Sequence, residues 1–290
     1  MCELTAPLLA KRNRDGGFPY RSGSSWTEPT AFALLALSSA GYAGREVDEA
    51  HRWIRQTQNG DGGWSAAPGI GQSCSATNAA LLSLLDQDIA NDSGRRSLAW
   101  VLSQTSADSG MLARFVRFLE SDSSQDREGG APWFPGTSAW VYPSCMMLLL
   151  LCRATKLTGR KDYESRMIEA QKYLLARRLP DGGWNHGGWY APGEHVASYP
   201  ETTGLALLAL KSYAGPELNS SIRLAQQMLP AAQSAEAWAW LRLGLVAHGA
   251  KVEDQSPNPL RCWTTVELAL SLLAQTAHLD SNRLTGGAHA

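Results

Sequence analysis

The chain has 290 residues, 44% of them hydrophobic, and is therefore long enough to bury one large core. Its 26 Lys and Arg side chains nearly balance 27 Asp and Glu side chains. Since no basic run could follow a phosphate backbone, no nucleic-acid partner is expected. The start lacks the cationic and apolar regions of an export signal, which predicts a cytoplasmic protein.

The longest apolar run, 141–152, is interrupted by Pro143 and falls short of the ~20 residues that span a bilayer. We therefore expect no transmembrane segment, while peripheral contact with a membrane stays open. The five cysteines are widely spread without Cys-x-x-Cys spacing, and we interpret them as free thiols.

A glycine-rich turn recurs along the chain. It reads Asp15-Gly16-Gly17-Phe18, Asp61-Gly62-Gly63-Trp64 and Asp181-Gly182-Gly183-Trp184, with a worn copy formed by Glu128-Gly129-Gly130 and Trp133. Glycine supplies the left-handed conformation that ends a helix. The aromatic residue after the glycines is predicted to wedge between neighbouring repeats.

Six short polar or aromatic patches each precede a helix-length apolar run. In chain order the patches begin at Trp26, Cys74, Trp140, Tyr199, Glu236 and Trp263. Runs such as 31–37 and 205–210 have no polar face over two turns, which predicts helices that are buried on all sides.

The segments between these runs are one-sided. Val47, Ala50 and Ile54 alternate with charged residues at helical period, and 222–229 repeats the pattern. Alternating buried and amphipathic helices satisfy both patterns of burial only if the amphipathic set surrounds the buried set. The sequence thus predicts an all-α fold, an (α/α)6 toroid of six inner and six outer helices in a single domain over 1–290. An insertion at about 106–127 is either a lid over the cavity mouth or a surface loop.

The segment from Trp53 to Trp64 matches the aromatic, aliphatic, x-x-x-Gln-x-x-x-Gly-x-Trp repeat, the QW motif, of the squalene and oxidosqualene cyclases. The segment from Tyr173 to Trp184 matches too, except that Arg178 replaces the glutamine. The chain thus resembles the superfamily of class II terpene cyclases and protein prenyltransferase β subunits. That resemblance implies the same toroid.

Class II cyclases carry their acid in an Asp-x-Asp-Asp-Thr-Ala motif at the start of one inner helix. Laying it on 26–31 places Glu28 at the proton-donating position, and laying it on 199–204 selects Glu201. Neither copy has the flanking aspartates. Both glutamates are therefore candidates either for a general acid or for a helix N-terminal carboxylate.

The resemblance implies acid-initiated cyclisation of an isoprenoid in an aromatic-lined central cavity, with no metal or cofactor. The catalytic candidates are Glu201, Glu28 and Glu236, and the substrate-binding candidates are Trp26, Ser75, Trp140, Tyr142, His195, Tyr199 and Trp263. Aromatic faces stabilise cations by roughly 0.5 to 2 kcal/mol each.

Three alternatives stay open. A prenyltransferase-like zinc site lacks its ligand spacing, although Cys74, Cys145, Cys262, His186 and His195 lie near the predicted mouth. A polysaccharide lyase or glycosidase would use two of the three glutamates as paired carboxylates. A non-catalytic toroid would bind an apolar ligand. Substrate, product and oligomeric state do not follow from the sequence.

Overall fold

A computed structural model describes residues 3–106, 129–187, 197–252 and 262–286. Nearly all of the predicted 106–127 insertion, and His195, lie outside these residues. The described helices are α1 (Thr5–Leu9), α2 (Thr27–Ser39), α3 (Arg45–Gln56), α4 (Ala76–Asp88), α5 (Asp92–Ser103), α6 (Val141–Thr158), α7 (Glu164–Ala176), α8 (Pro200–Ala209), α9 (Leu218–Met228), α10 (Ala235–Ala247) and α11 (Thr265–Gln275). A two-stranded antiparallel hairpin, β1 (Ala131–Pro132) and β2 (Ala139–Trp140), precedes α6.

Six helices form a closed inner ring. The order is α2, α4, α6, α8, α10 and α11, each packed on the next, and α11 returns to pack on α2. The predicted all-α toroid with six inner helices is confirmed.

The inner helices are buried on all sides, as their composition requires. Every residue from Ala31 to Leu37 is at most 2% exposed. The closest helix pair is α8 and α10, where Gly204 faces the α10 backbone. A Cβ atom at Gly204 would lie 2.3 Å from the Leu241 nitrogen, so only glycine permits this approach.

Five helices of the described residues lie outside the ring. Helices α3, α5, α7 and α9 pack on the inner helices that precede them, and α1 packs on α11. On α3, Val47 and Ile54 are buried while Arg52 and Arg55 are exposed. This one-sided burial is what the helical period predicts. None of the described helices has the length and apolarity to cross a bilayer.

The glycine-rich turns end the outer helices as predicted. In the second copy Gly62 has φ +93°, and the Asp61 side chain accepts hydrogen bonds from Gly63 N at 3.0 Å and Ser73 Oγ at 2.7 Å. The indole of Trp100 also donates to Asp61, at 3.1 Å. One carboxylate therefore links the turn to the next outer helix.

The aromatic wedge is confirmed in three copies and is wrong in the fourth. Phe18, Trp64 and Trp184 are fully buried, whereas Trp133 is 39% exposed. In the worn copy Ala131 takes the wedge position, since its N–H donates to Ser144 Oγ. The Trp64 N–H makes the equivalent bond to Thr77 Oγ1. The β1–β2 hairpin then carries Trp133 outward.

Candidate active site

The starts of the inner helices gather at one rim of the toroid. The first turns of α2 and α6 are tied to the loops of neighbouring repeats: Thr27 Oγ1 donates to Ser65 O, and Val141 N donates to His186 O. Thr265 closes the circle, because its N–H donates to Tyr20 O and its hydroxyl to Pro19 O. We call this rim the collar; its residues are Tyr20, Trp26, Glu28, Ser75, Trp133, Tyr142, Tyr199, Glu201, Glu236 and Trp263.

Glu28 is held by two phenols. Tyr20 donates to Oε2 and Tyr142 donates to Oε1, each at 2.5 Å. Burial, followed by the adjacent Glu28 carboxylate, raises the pKa of both phenols, so they remain donors. A carboxyl group that acts as an acid must donate its own proton, whereas Glu28 accepts on both oxygens.

Aromatic side chains surround this carboxylate. The Trp133 and Tyr142 rings stack with centroids 5.1 Å apart and planes 10° from parallel. Tyr20 meets the edge of Trp26 at 5.6 Å. Tyr20 was not among the predicted site residues, and Trp133 was predicted to be a buried wedge. Tyr20 has a weak sequence signal, an aromatic residue two positions beyond the buried Phe18.

Glu236 lies in the first turn of α10 and is half-buried. Burial raises its pKa above the ordinary value, and the nearby carboxylates of Glu201, Glu28 and Glu267 raise it further. A hydrogen bond with the Trp240 side chain lowers it in part. The surroundings of Glu236 therefore favour the protonated form of its carboxyl group.

Glu201 and Glu267 occupy equivalent first turns with different partners. Glu201 Oε1 accepts from Ser234 Oγ at 3.2 Å, and Ser234 in turn caps α10 by accepting from Ala237 N. Glu267 forms a capping box with Thr264. Glu267 therefore serves the end of its own helix, while Glu201 points to the start of α10.

The other predicted binding residues lie along the same rim. Ser75 N donates to Trp133 O at 2.9 Å, and Tyr199 rests against His186 with ring centroids 5.1 Å apart. Trp263 is 57% exposed and Tyr199 is 45% exposed. Trp140 is half-buried at the start of α6.

The zinc alternative finds no support in the described part of the chain. There, no three His, Cys, Asp or Glu side chains lie close enough together to hold a metal ion. Cys145 is fully buried within α6, and burial raises the pKa of its thiol. A neutral thiol is a poor metal ligand.

Among curated proteins, the chain is similar to a drimenyl diphosphate synthase from Streptomyces showdoensis. The two are 30% identical over 188 residues, which is 63% of this chain and 32% of the relative. The chain thus spans about a third of that relative's length. No protein-family profile matches the chain.

Three solved structures share the fold. The ent-copalyl diphosphate synthase from Streptomyces platensis is 17% identical with a TM-score of 0.55, over 87% of this chain and 50% of that one. The type II terpene cyclase MstE from Scytonema, solved with its substrate geranylgeranyl dihydroxybenzoate, is 15% identical with a TM-score of 0.57, over 94% and 75%. An α-amylase from Clostridium perfringens is 11% identical with a TM-score of 0.60, over 94% and 96%.

The structural likenesses establish the toroid, and the sequence match to the synthase supports the superfamily that the repeat implies. The chain has an α/α toroid fold like that of the type II terpene cyclases.

Proposed function

We propose that the chain is a class II terpene cyclase-like enzyme that starts the cyclisation of an isoprenoid by protonating one of its alkenes at the collar. The observation that carries this proposal is the position of Glu236, a half-buried carboxyl group in the first turn of α10 at the collar, where burial and the carboxylates of Glu201, Glu28 and Glu267 raise its pKa. Surroundings that favour the protonated form of a carboxyl group are what protonation of an alkene requires.

The proton of Glu236 would pass to one alkene carbon, where a C–H bond forms from the π electrons. The other alkene carbon becomes cationic, and the next double bond attacks it to close a ring. Loss of a proton from the last cation gives a neutral product, so Glu236 must be reprotonated from solvent before the next turnover. No redox partner is needed for this sequence.

Glu28 and the aromatic residues have supporting roles in this scheme. The Glu28 side chain, which accepts hydrogen bonds from Tyr20 and Tyr142 on its two oxygens, would add negative potential near the developing cation. The stacked faces of Trp133 and Tyr142 would stabilise positive charge at roughly 0.5 to 2 kcal/mol each. The relative's diphosphate product and the geranylgeranyl substrate of MstE make a linear isoprenoid the substrate class to test.

The test incubates the protein with farnesyl diphosphate, geranylgeranyl diphosphate or squalene and follows cyclic products by gas chromatography. We expect product from at least one of them, with Glu236→Gln slowing its formation by roughly 10²- to 10⁴-fold. Glu46→Gln, the same change on the outer helix α3, is the matched control. No cyclic product from any of the three, or an unaffected rate in Glu236→Gln, would contradict the proposal.

Glycoside hydrolysis is the second candidate. It is favoured by the α-amylase likeness, which covers nearly the whole of both chains. Glu201 and Glu236 would then be the paired carboxylates, and the exposed Tyr199 and Trp263 would stack on sugar rings. Release of reducing sugar from starch or α-mannan, abolished in Glu236→Gln and Glu201→Gln alike, would select this function over cyclisation.

A further inference from the structure

A cavity lies at the end of the toroid opposite the collar. It has a volume of about 310 Å³ and opens between the carboxyl ends of α4 and α6, the turn after α8, and the tail 283–286. We call it the distal pocket. Its lining combines the apolar side chains of Leu82, Leu149, Met167 and Leu284 with polar and charged ones.

Several hydrogen bonds hold the tail in place, among them those of a buried amide. Asn282 is 1% exposed; its amide nitrogen donates to Leu273 O at 2.8 Å, and its oxygen accepts from the Leu284 and Thr285 N–H groups. Arg283 N donates to Ser39 Oγ at the end of α2. The pocket wall that the tail supplies is thus built by specific hydrogen bonds.

Four cationic side chains line the distal pocket: Arg153, Lys156, Lys211 and Arg283. Asp86 pairs with both arginines from outside the lining. Among the described residues, neither lysine has an ion-pair partner, and no carboxylate lines the pocket. An excess of positive charge therefore faces this cavity.

This arrangement is costly when the cavity holds only water. Lys211 is half-buried, and its pKa is lowered to about 8 by burial and by Arg153 and Lys156; the neighbouring Cys152 opposes this shift. In addition, the Nε of Arg283 is buried and has no hydrogen-bond partner within the described structure. Buried donors without partners are rare and call for a specific cause.

The favourable interaction of cations with the carboxyl ends of helices explains only part of this cationic cluster. Cations in the last turn of a helix interact favourably with its carboxyl end, which suits Lys156 on α6. That effect does not require burying Lys211 beside two other cations, nor leaving Arg283 Nε unsatisfied. Both features are instead expected of a preformed anion site, where the ligand supplies the missing charge and acceptors.

We propose that the distal pocket binds a phosphate or diphosphate group. The hydroxyls of Thr155 and Ser212 also line it and would add neutral donors to the four cations. Two sources share this chemistry: a free inorganic anion, and a phosphate ester whose organic part packs on Leu149 and Met167. The site is separate from the collar and does not rest on the proposed cyclisation.

The test is calorimetric titration of the whole protein with inorganic diphosphate and with geranyl diphosphate at about pH 8.5 and low salt. We expect saturable binding of at least one ligand, weakened by added salt. Tighter binding of geranyl diphosphate would identify an ester as the natural occupant, and equal affinities would identify the free anion.

Proton uptake gives a second readout of the same experiment. Because the pKa of Lys211 is lowered to about 8, part of the Lys211 population is neutral near pH 8.5, and a bound anion would restore its charge. Titrations in buffers of different ionisation enthalpy should therefore show proton uptake on binding.

Lys211→Met and Lys156→Met should each weaken binding about tenfold or more, and Lys211→Met should abolish the proton uptake. Both variants are expected to fold, because each removes a charge from a cationic cluster. Lys211→Met also removes the hydrogen bond from Lys211 Nζ to Leu284 O in the tail, whereas no such bond is lost in Lys156→Met within the described structure. Lys172→Met, on the exposed face of α7, is the control and should bind as the wild type does. The proposal would be overturned if neither ligand binds. It would also be overturned if both pocket variants bind as the wild type does.

Discussion

Tyr142 and Glu28 are joined by a hydrogen bond of 2.5 Å although 114 residues separate them in the chain. Tyr142 lies in the first turn of α6 and Glu28 in the first turn of α2, and α4 stands between these helices in the inner ring. The bond therefore reaches over the start of α4 and ties two non-adjacent helices together at the collar.

Replacing Tyr142 by phenylalanine removes this tie without changing the packing of the ring. Since hydrogen bonds to charged groups are worth about 1.5 to 3 kcal/mol, we expect Tyr142→Phe to lower the free energy of unfolding in urea by about 1.5 kcal/mol. Tyr42→Phe is the control, because its phenol bonds to Glu46 within one repeat near the surface. An equal loss in both variants would mean that the collar bond contributes nothing beyond a surface contact.

A second stability prediction concerns Gly62, the glycine of the repeat turn whose backbone has a positive φ. Gly62 has φ +93°, and a Cβ atom there would lie 2.8 Å from the Arg96 backbone. Gly62→Ala should therefore destabilise the protein by about 2 to 3 kcal/mol. Gly60→Ala, two residues earlier, meets nothing within 4 Å and should change stability by less than about 1 kcal/mol. Chemical denaturation of the two variants compares them directly.

The repeat made most of this fold predictable. An apolar run such as 31–37 predicts a buried helix, and Asp61-Gly62-Gly63 predicts a turn at that place. Both predictions depend only on local composition. The all-round burial of the inner helices then requires a closed ring. These features are read from residues that are near one another in the chain.

The collar contacts were not predictable in the same way. Trp133 is predicted from the sequence to lie in the core, because it follows Gly129 and Gly130. The hairpin of β1 and β2, whose strands have two residues each, instead places Trp133 at the rim. Tyr20 reaches Glu28 through a loop whose path depends on the neighbouring repeats. The distal pocket depends on the tail around Arg283, whose docking has no sequence signature.

Closure of the ring is tested at the contact between α11, the last inner helix, and the loop that precedes α2, the first inner helix. The Thr265 hydroxyl is fully buried and donates to Pro19 O. Thr265→Val leaves that carbonyl without this donor, and we expect a loss of about 1 to 3 kcal/mol in the free energy of unfolding.

Thr57→Val is the matched control for ring closure, because the Thr57 hydroxyl bonds only to carbonyls of its own helix, Trp53 O and Ile54 O, among its described partners. It should cost less than about 0.5 kcal/mol. If the two changes cost the same, the Thr265 bond does not help to close the toroid.

The pH dependence of stability follows from Glu236. Its folded pKa lies above the ordinary 4.5, so below pH 4.5 both folded and unfolded chains hold the proton and no penalty arises. As the pH rises, the unfolded chain ionises first and is stabilised, so the free energy of unfolding falls until the raised pKa is passed.

Glu236→Gln removes this effect. The variant should be as stable as the wild type near pH 4 and increasingly more stable as the pH rises from 4.5 through the raised pKa of Glu236, while its cyclisation is slowed. Urea unfolding at a series of pH values measures the difference. A variant that is less stable than the wild type at about pH 7 would show that the Glu236 carboxylate supports the fold instead.

The pKa of Glu236 itself decides whether the collar holds an acid. Carbon-13 NMR of side-chain carboxyls in uniformly labelled protein, with Glu236→Gln to assign the resonance, gives its titration curve. We expect a midpoint clearly above 4.5 that shifts downward when Glu201 is replaced by glutamine. A midpoint at or below 4.5 would mean that Glu236 is an ordinary helix N-terminal carboxylate, and the proposed acid at the collar would be wrong.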